Sequence, residues 1–302
     1  MEVLESTVVA ADGATIWWRS AGAGAPAVLL SDGVGCSGFI WERLFPVLAR
    51  ERRVIHWNYR GHGRTPRPAD LSTCTLPGCV SDLLAVLDAA GEPDAVLAGH
   101  SMGVQVALEA HRRAPARVAG LMLMLGSPSH PLETFHGSDL LARAFPLLKE
   151  LLQAFPAGAR FFFERLLPTE PVLQAGLWLE VNRSLVRRED VQRYLSDLSR
   201  VDPDCWLRIL ESAQTQDAVE HLPAVAVPTL VVGGERDTFT PVELSLKMHQ
   251  AIRGSELLLL AGGSHMGLLE HPELVELRVR RFLAERLPLR APGPALSART
   301  GA

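Results

Sequence analysis

Residues 95–110 read AVLAGHSMGVQVALEA, and this stretch decides the fold. Its first four residues, Ala95 to Ala98, are an apolar run typical of a buried β-strand, and Val104 to Ala110 have the pattern of a helix. Between them lies a G-x-S-x-G sequence that places Ser101 where the strand turns into the helix. The flanking glycines permit a sharp, strained turn that lifts the serine hydroxyl clear of the sheet. Ser101 is therefore a candidate nucleophile; an ordinary serine N-cap is the structural alternative.

Strands and helices alternate on both sides of this turn. The alternation predicts a hairpin around Asp12-Gly13, strands at 27–30, 53–57, 117–125, 228–232 and 257–260, and a helix near 80–87 that Gly91 ends. Thr240-Pro241-Val242-Glu243 has the pattern of a capping box at the start of a helix, and a last helix runs from Pro272 to about Arg286. Such alternation predicts a mostly parallel sheet with helices on both faces.

One long stretch breaks the alternation. From about Ser127 to Asp217 the pattern is helical, and we expect helical segments to end near Pro146, Pro156, Pro168 and Pro203. The prediction is therefore a core made of residues 1–126 and 218–286 with a helical insertion at 127–217. Residues 287–302 are rich in Pro, Ala, Gly and Ser, and we expect a disordered tail there.

A serine hydroxyl is a weak nucleophile and needs a general base. His265 follows the predicted strand 257–260, and loops at the carboxyl ends of strands are where an α/β sheet carries its ligand groups. The other histidines fit this role less well. His56, His111 and His249 fall in or beside predicted regular elements, His271 has the position of a helix cap, and His100 is expected to point away from the nucleophile.

The base in turn needs a carboxylate that fixes its tautomer and stabilises the imidazolium. Asp237 lies on the loop after the predicted strand 228–232, again at a carboxyl end. Glu235 is a rival, and a simple turn cap is the structural alternative. An acid could also follow the strand 117–125, but Gly126-Ser127-Pro128 carries none, which favours Asp237.

These motifs together resemble the α/β-hydrolase superfamily, in which the catalytic residues follow the chain order Ser, Asp, His. Residues 58–64, NYRGHGR, resemble the family's D-x-R-G-x-G-x-S loop, residues 228–237, PTLVVGGERD, its acid-bearing strand, and His265 with the following Glu-His-Pro its histidine loop. The resemblance extends from about Val8 to Arg286. It implies the α/β-hydrolase fold, with a mostly parallel central sheet, helices on both faces, and the insertion as a helical cap over the active site.

The chain departs from the family pattern after its first core strand. Asp32-Gly33 stands where the family usually has His-Gly. The chemistry requires backbone N–H groups for an oxyanion hole, and Val34 and Met102, the residue after the nucleophile, are in the family's positions to supply them. We interpret Asp32 as a residue that braces this loop; a role in orienting water or substrate is the alternative.

The resemblance implies a serine hydrolase that cleaves a carboxylic ester of a small, largely apolar substrate without cofactor or metal. Lactonase, carbon–carbon bond hydrolase and cofactor-free perhydrolase or haloperoxidase activities would use the same triad, and a non-catalytic binding protein is an alternative of another class. We expect most aromatic residues of the insertion to form its own core and the rest to line an apolar pocket. These residues are Phe145, Phe155, Phe161, Phe162, Phe163, Trp178 and Trp206, and the arginines available there for a carboxylate include Arg143, Arg160 and Arg183.

Composition narrows the class of protein further. The 302 residues are 47% hydrophobic and 21% charged, as in a globular enzyme, and the net charge of −4 comes without a basic block, which argues against nucleic-acid partners. No apolar run is long enough for a membrane span, and the acidic N-terminus is not a signal peptide. Cys36, Cys74, Cys79 and Cys205 form no CxxC pair, so we expect free thiols in a cytoplasmic enzyme, with a Cys74–Cys79 bridge as the alternative. The sequence does not indicate the oligomeric state.

Overall fold

The computed structural model describes residues 2–179, 182 and 184–290, with only the backbone of residues 176–179. The described strands form a single sheet in the order β1-β2-β4-β3-β5-β6-β7-β8. Strands β3 to β8 run parallel, whereas β1 pairs antiparallel with β2, and β2 antiparallel with β4. The strands are β1 Val3–Val9, β2 Thr15–Ala21, β3 Ala27–Ser31, β4 Val54–Trp57, β5 Ala95–His100, β6 Val118–Met124, β7 Thr229–Gly234 and β8 Glu256–Leu260.

Helices cover both faces of this sheet, because the buried strands alternate their side chains between two apolar layers. Leu97 of β5 packs into the layer that contains α2, α3 and α9, whereas Val96 and Ala98 pack into the layer that contains α1 and α11. The helices are α1 Leu44–Leu48, α2 Leu76–Ala89, α3 Met102–Arg113, α4 Leu140–Ala154, α5 Pro156–Phe161, α6 Glu170–Leu179, α7 Arg188–Leu198, α8 Pro203–Thr215, α9 Val242–Ala251, α10 Gly267–Glu270 and α11 Pro272–Arg286. Within the described residues, no helix combines the length and the hydropathy that a bilayer span requires.

The strand order reverses direction between β3 and β5. The chain leaves β3, adds β4 on one side, and returns to place β5 on the other side, with Ser31 paired beside Gly99. The loops that follow β3 and β5 therefore diverge at the carboxyl edge of the sheet. Such a switch point is where open α/β sheets bind their ligands.

The α/β fold predicted from the sequence is confirmed, but the predictions at Pro146 and at the start of α9 are wrong. As predicted, α4 ends at Ala154, just before Pro156, and the π-helical turn Phe162–Leu166 ends just before Pro168. α7 ends at Leu198, and Pro203 then opens α8, whereas Pro146 lies inside α4 and ends no helix. Pro156 and Pro203 fit proline chemistry, because the first turn of a helix tolerates a missing N–H, whereas Pro146 removes one backbone hydrogen bond from the interior of α4. At α9 the N-cap is Pro241 without a side-chain cap, and no capping box forms.

The chain after α11 is ordered for at least four residues. Leu287 is buried in the core, and the Arg290 amide donates to the Ala25 carbonyl at 2.7 Å. This contradicts a disordered tail beginning at residue 287, since burial of Leu287 and the backbone bond both fix the segment. The remainder of the predicted tail, residues 291–302, lies outside the described residues.

Candidate active site

Ser101 stands on a strained turn between β5 and α3. Its φ of 56° and ψ of −121° are disfavoured for a side-chain-bearing residue, and its amide donates to the Met124 and Leu125 carbonyls at 3.1 and 3.2 Å. Only glycine fits two residues before it and two residues after it. A Cβ at Gly99 would lie 2.1 Å from the Gly103 carbonyl oxygen, and one at Gly103 would lie 2.4 Å from that of Ser31. The G-x-S-x-G pattern is therefore a packing requirement of the turn.

The loop after β3 passes directly beside this serine. A Cβ at Gly33 would come within 2.9 Å of the Ser101 Cβ, so the backbone of the loop is as close as a glycine permits. Val34 and Met102 line the same cavity as Ser101. Met102 opens α3, and the first N–H groups of a helix have no intrahelical acceptor. The backbones of Val34 and Met102, the two candidates for an oxyanion hole, thus border the same cavity as the serine.

Asp237 and His265 form a close pair at the carboxyl ends of β7 and β8. The His265 Nδ1 lies 2.9 Å from the Asp237 Oδ2, and the Asp237 side chain is fully buried. The carboxylate also accepts from the amides of Phe239 and Thr240 and from the Thr240 hydroxyl, all within 2.9 Å. The Phe239 ring stacks on the imidazole with a centroid distance of 4.9 Å. These contacts fix the orientation of the imidazole.

Ser101 and His265 line one cavity but are not hydrogen-bonded to each other in the described chain. The hydrogen bonds of the His265 ring run through Nδ1, which leaves Nε2 as the nitrogen available to the serine. Catalytic hydrogen bonds are often long in ligand-free structures and tighten when substrate binds.

Two side chains that sequence reasoning did not assign to the site hold the His265 loop. The Glu270 carboxylate accepts from the Ser264 amide and hydroxyl, both at 2.7 Å. The His100 Nε2 donates to the His265 carbonyl at 3.0 Å, so the His100 side chain is directed at the histidine loop, a contact that the sequence did not indicate. Burial, with a smaller contribution from His265, lowers the pKa of His100 to about 3, which keeps its ring neutral. The position of His100, directly before Ser101 in the sequence, was the one local indication that it lies at the site.

The cavity above Ser101 has a volume of about 250 Å³ and a mostly apolar wall. None of its described lining residues is an Asp, Glu, Lys or Arg. Much of the wall comes from the stretch between β6 and β7. These wall residues are Leu132, Phe135, Leu141, Phe145, Leu148, Val191, Tyr194, Leu195, Trp206 and Leu210.

A sequence profile described as the alpha/beta hydrolase fold matches residues 26–272. The chain is 31% identical to the pimeloyl-[acyl-carrier protein] methyl ester esterase of Methylococcus capsulatus, over 86% of this chain and 95% of that one. It is 26% identical to a putative carbamate hydrolase, RutD, of Azorhizobium caulinodans, over 90% of this chain and 96% of that one. Among solved structures, a hydrolase from Pseudomonas aeruginosa PA01 is similar with a TM-score of 0.74 and 25% identity, over 92% and 98% of the two chains.

The chain belongs to the alpha/beta hydrolase family. In this α/β hydrolase, Asp32 replaces the usual histidine and does not line the cavity. Its Oδ2 lies 2.7 Å from the His56 Nε2, both side chains are at most 1% exposed, and its carbonyl accepts from the Tyr59 hydroxyl at 2.6 Å. These contacts fix the loop that carries Gly33 and Val34, in agreement with a bracing role.

Other residues considered from the sequence lie apart from the chemistry. Glu235 is exposed and accepts from the Gly262 amide at 3.0 Å, away from the imidazole. Arg143 is exposed and pairs with Asp139, neither it nor Arg160 lines the cavity, and Arg183 lies outside the described residues. Cys36 does line the cavity, but burial raises the pKa of its thiol well above the ordinary value, so it is no rival nucleophile.

The aromatic residues of the insertion do not behave uniformly. Phe145 and Trp206 line the cavity, and Phe163 is buried against Trp206. Phe155, Phe161 and Phe162 are exposed and do not line the cavity, so these three rings belong neither to an internal core nor to the pocket. The side chain of Trp178 lies outside the described residues.

All four cysteines are free, which excludes the Cys74–Cys79 bridge. The Cys74 sulfur instead lies 3.4 Å from the Cys205 sulfur.

Proposed function

We propose that this α/β hydrolase cleaves a carboxylic ester of a small, largely apolar substrate through an acyl-enzyme, with Ser101 as nucleophile, His265 as base and Asp237 as the orienting acid. The observation that carries the proposal is the convergence of three strand ends on one cavity. Ser101 and His265 line it, and the ring of His265 is held by the buried Asp237. No cofactor is required by this chemistry.

In the first half of the reaction, the Ser101 hydroxyl attacks the ester carbonyl while the His265 Nε2 takes its proton. The backbone N–H groups of Val34 and Met102 donate to the developing oxyanion. The tetrahedral intermediate collapses, and His265 returns the proton to the leaving alcohol. Asp237 stays ionised and stabilises the imidazolium in between.

In the second half, His265 removes a proton from water, which attacks the acyl-enzyme. The second oxyanion meets the same donors, and its collapse releases the carboxylic acid and restores Ser101. We further propose that residues 127–217 act as a cap whose apolar residues select the substrate. A cavity without a charged side chain among its described lining residues favours an apolar ester over an anionic carbamate, because an unpaired anion is costly to desolvate.

The cytoplasm is the compartment that we propose for this enzyme. The four cysteines are free, and thiols persist in reducing compartments, whereas oxidising ones favour disulfides. Its substrate is then a small molecule met inside the cell.

Labelling with a fluorophosphonate tests the nucleophile. We expect a single adduct on Ser101, and Ser101→Ala should abolish it and lower turnover by several powers of ten, since a triad without its nucleophile keeps only background rates. Ser127→Ala is the matched control, because Ser127 lines the same cavity but its hydroxyl is bonded to the Ser129 carbonyl. Equal labelling of the Ser101→Ala protein would refute the assignment. A panel of nitrophenyl esters, lactones and β-diketones then separates esterase from lactonase and carbon–carbon hydrolase activity.

A further inference from the structure

Gln105 contributes a buried amide to the mostly apolar wall of the cavity. It lies four residues after Ser101 on α3, about one helical turn further along the same face. The side chain lines the cavity and the residue is only 2% exposed. A buried amide beside a nucleophile is either fully bonded within the protein or available to a ligand.

Only one end of this amide has a partner. The Gln105 Nε2 donates to the Ala213 carbonyl of α8 at 2.9 Å. A carbonyl can only accept, so this bond assigns the nitrogen to α8 and the oxygen to the other arm of the planar group. The Gln105 Oε1 is buried and has no partner among the described residues. Leaving such an acceptor unpaired costs about 1–3 kcal/mol.

Three other polar side chains of the wall are less available. The hydroxyls of Ser127 and Thr240 are used by the Ser129 carbonyl and the Asp237 carboxylate. The His100 Nδ1 is also an unpartnered acceptor, but it packs against Gly33, 3.4 Å from where a Cβ would stand. Gln105 is therefore the stronger candidate for a polar contact with substrate.

We infer that the Gln105 Oε1 accepts a hydrogen bond from the substrate, and that the preferred esters combine an apolar skeleton with one hydroxyl or amide N–H group roughly one helical turn, about 5–6 Å, from the reacting carbonyl. This inference rests on the proposed ester hydrolysis. A site with a buried acceptor discriminates strongly against an analogue that lacks the donor, because that analogue leaves the acceptor unpaired.

The test compares catalytic efficiency, kcat/KM, on methyl esters of 2-, 3- and 4-hydroxyphenylacetic acid with the corresponding tolylacetates. Hydroxyl and methyl groups are close in size, so each pair differs mainly in the donor. We expect at least one hydroxyl isomer to exceed its methyl counterpart by about tenfold. Gln105→Met should remove that preference and leave kcat/KM for the tolylacetate within about threefold of the wild-type value. Leu210→Met, a wall residue without a polar atom, is the control and should change both members of a pair alike.

Three results would overturn the inference, and they are distinguishable from failure of the proposed function. If the wild-type enzyme labels at Ser101 and hydrolyses the tolylacetates but prefers no hydroxyl isomer, the inference alone is wrong. If the preference exists and survives Gln105→Met in a protein that still labels at Ser101, another group is the acceptor. If Ser101 is not labelled and no ester is hydrolysed, the proposed function fails and the inference fails with it.

Discussion

The carboxyl edge of the sheet and the helical stretch from residue 131 to 215 form two sides of the same cavity, but they are held in different ways. At the sheet edge, backbone hydrogen bonds fix the reacting groups. The Ser101 amide donates to the carbonyls of Met124, the last residue of β6, and of Leu125, which follows it. The Arg236 amide donates to the Gly263 carbonyl at 2.8 Å, and this bond joins the Asp237 loop to the His265 loop. Positions such as Gly99 accept no side chain at all. The geometry of this side is therefore set by the chain path itself.

The helical side is built mainly from apolar side-chain packing. Phe145, Leu207 and Leu210 form a small cluster with Leu132, and this cluster meets the core at Val34. The outer side of α4 also exposes large apolar residues, including Leu140, Leu147 and Leu151. Side-chain packing is tolerant of volume-conserving changes, whereas a strained turn is not. The difference suggests that this fold can change its substrate through the helices and keep its chemistry at the sheet.

The largest effect that we expect on the sheet side, apart from loss of the proposed nucleophile, comes from the proposed orienting acid. Asp237→Asn should lower kcat by up to about 10⁴-fold, because the amide favours the wrong tautomer of His265. Glu235→Gln is the matched control on the same loop and should stay within a few-fold, since the Glu235 carboxylate accepts from the Gly262 amide and is not bonded to the His265 ring in the described residues. Steady-state kinetics on a nitrophenyl ester measures both. A crippled Glu235→Gln enzyme beside an active Asp237→Asn enzyme would show that the acid is misassigned.

A smaller effect should follow from removing a single backbone donor. Val34→Pro deletes the N–H that we propose for the oxyanion hole and should cost roughly 10²–10³-fold in kcat, about 3–4 kcal/mol of transition-state stabilisation. Val34→Ala keeps the N–H and should retain most of the activity. Circular dichroism verifies that the proline variant is folded. A folded Val34→Pro enzyme with near-normal turnover would assign the oxyanion donor to another residue.

The same contrast explains what the sequence could predict. Strands such as β5 are continuous apolar runs bounded by glycine, and Ser101, Asp237 and His265 lie in motifs whose backbone geometry demands particular residues. Local patterns of this kind are visible in a single sequence. The buried pair of Asp32 and His56, by contrast, joins residues 24 positions apart, and nothing local indicates that they meet.

The errors fall where a tertiary contact overrides a local preference. Thr240 has the pattern of a helix cap, but its hydroxyl donates to the Asp237 carboxylate. Pro146 stays inside α4, between Phe145 and Leu148, which both line the cavity. Which aromatic residues of the insertion face solvent and which face the cavity depends on how its helices are rotated. Hydrophobicity alone does not encode that rotation.

The smallest effect that we expect comes from the helical side. Substitution of two neighbouring leucines of α4 separates this effect from a change in helix stability. Leu148 lines the cavity, whereas Leu147 is 72% exposed and does not. Leu148→Ala widens the cavity, so the optimal acyl chain should lengthen by one or two carbons, with kcat/KM for the longer esters rising about threefold to tenfold. This is the range that a methylene or two in an apolar pocket is worth. The kcat for the acetate ester should stay near its wild-type value, because Ser101 and its partners are untouched.

Leu147→Ala removes the same atoms from the same helix on its outer side, so it should leave the whole profile of kcat/KM against acyl length unchanged. That control separates the shape of the cavity from the stability of α4, which both substitutions lower. If both variants shifted the optimum alike, the wall would respond to helix stability and not to side-chain volume. Leu148→Ala could instead lower kcat for every ester as much as Val34→Pro does. The helical side would then also position the reacting atoms, and the division between a sheet that performs the chemistry and helices that select the substrate would be wrong.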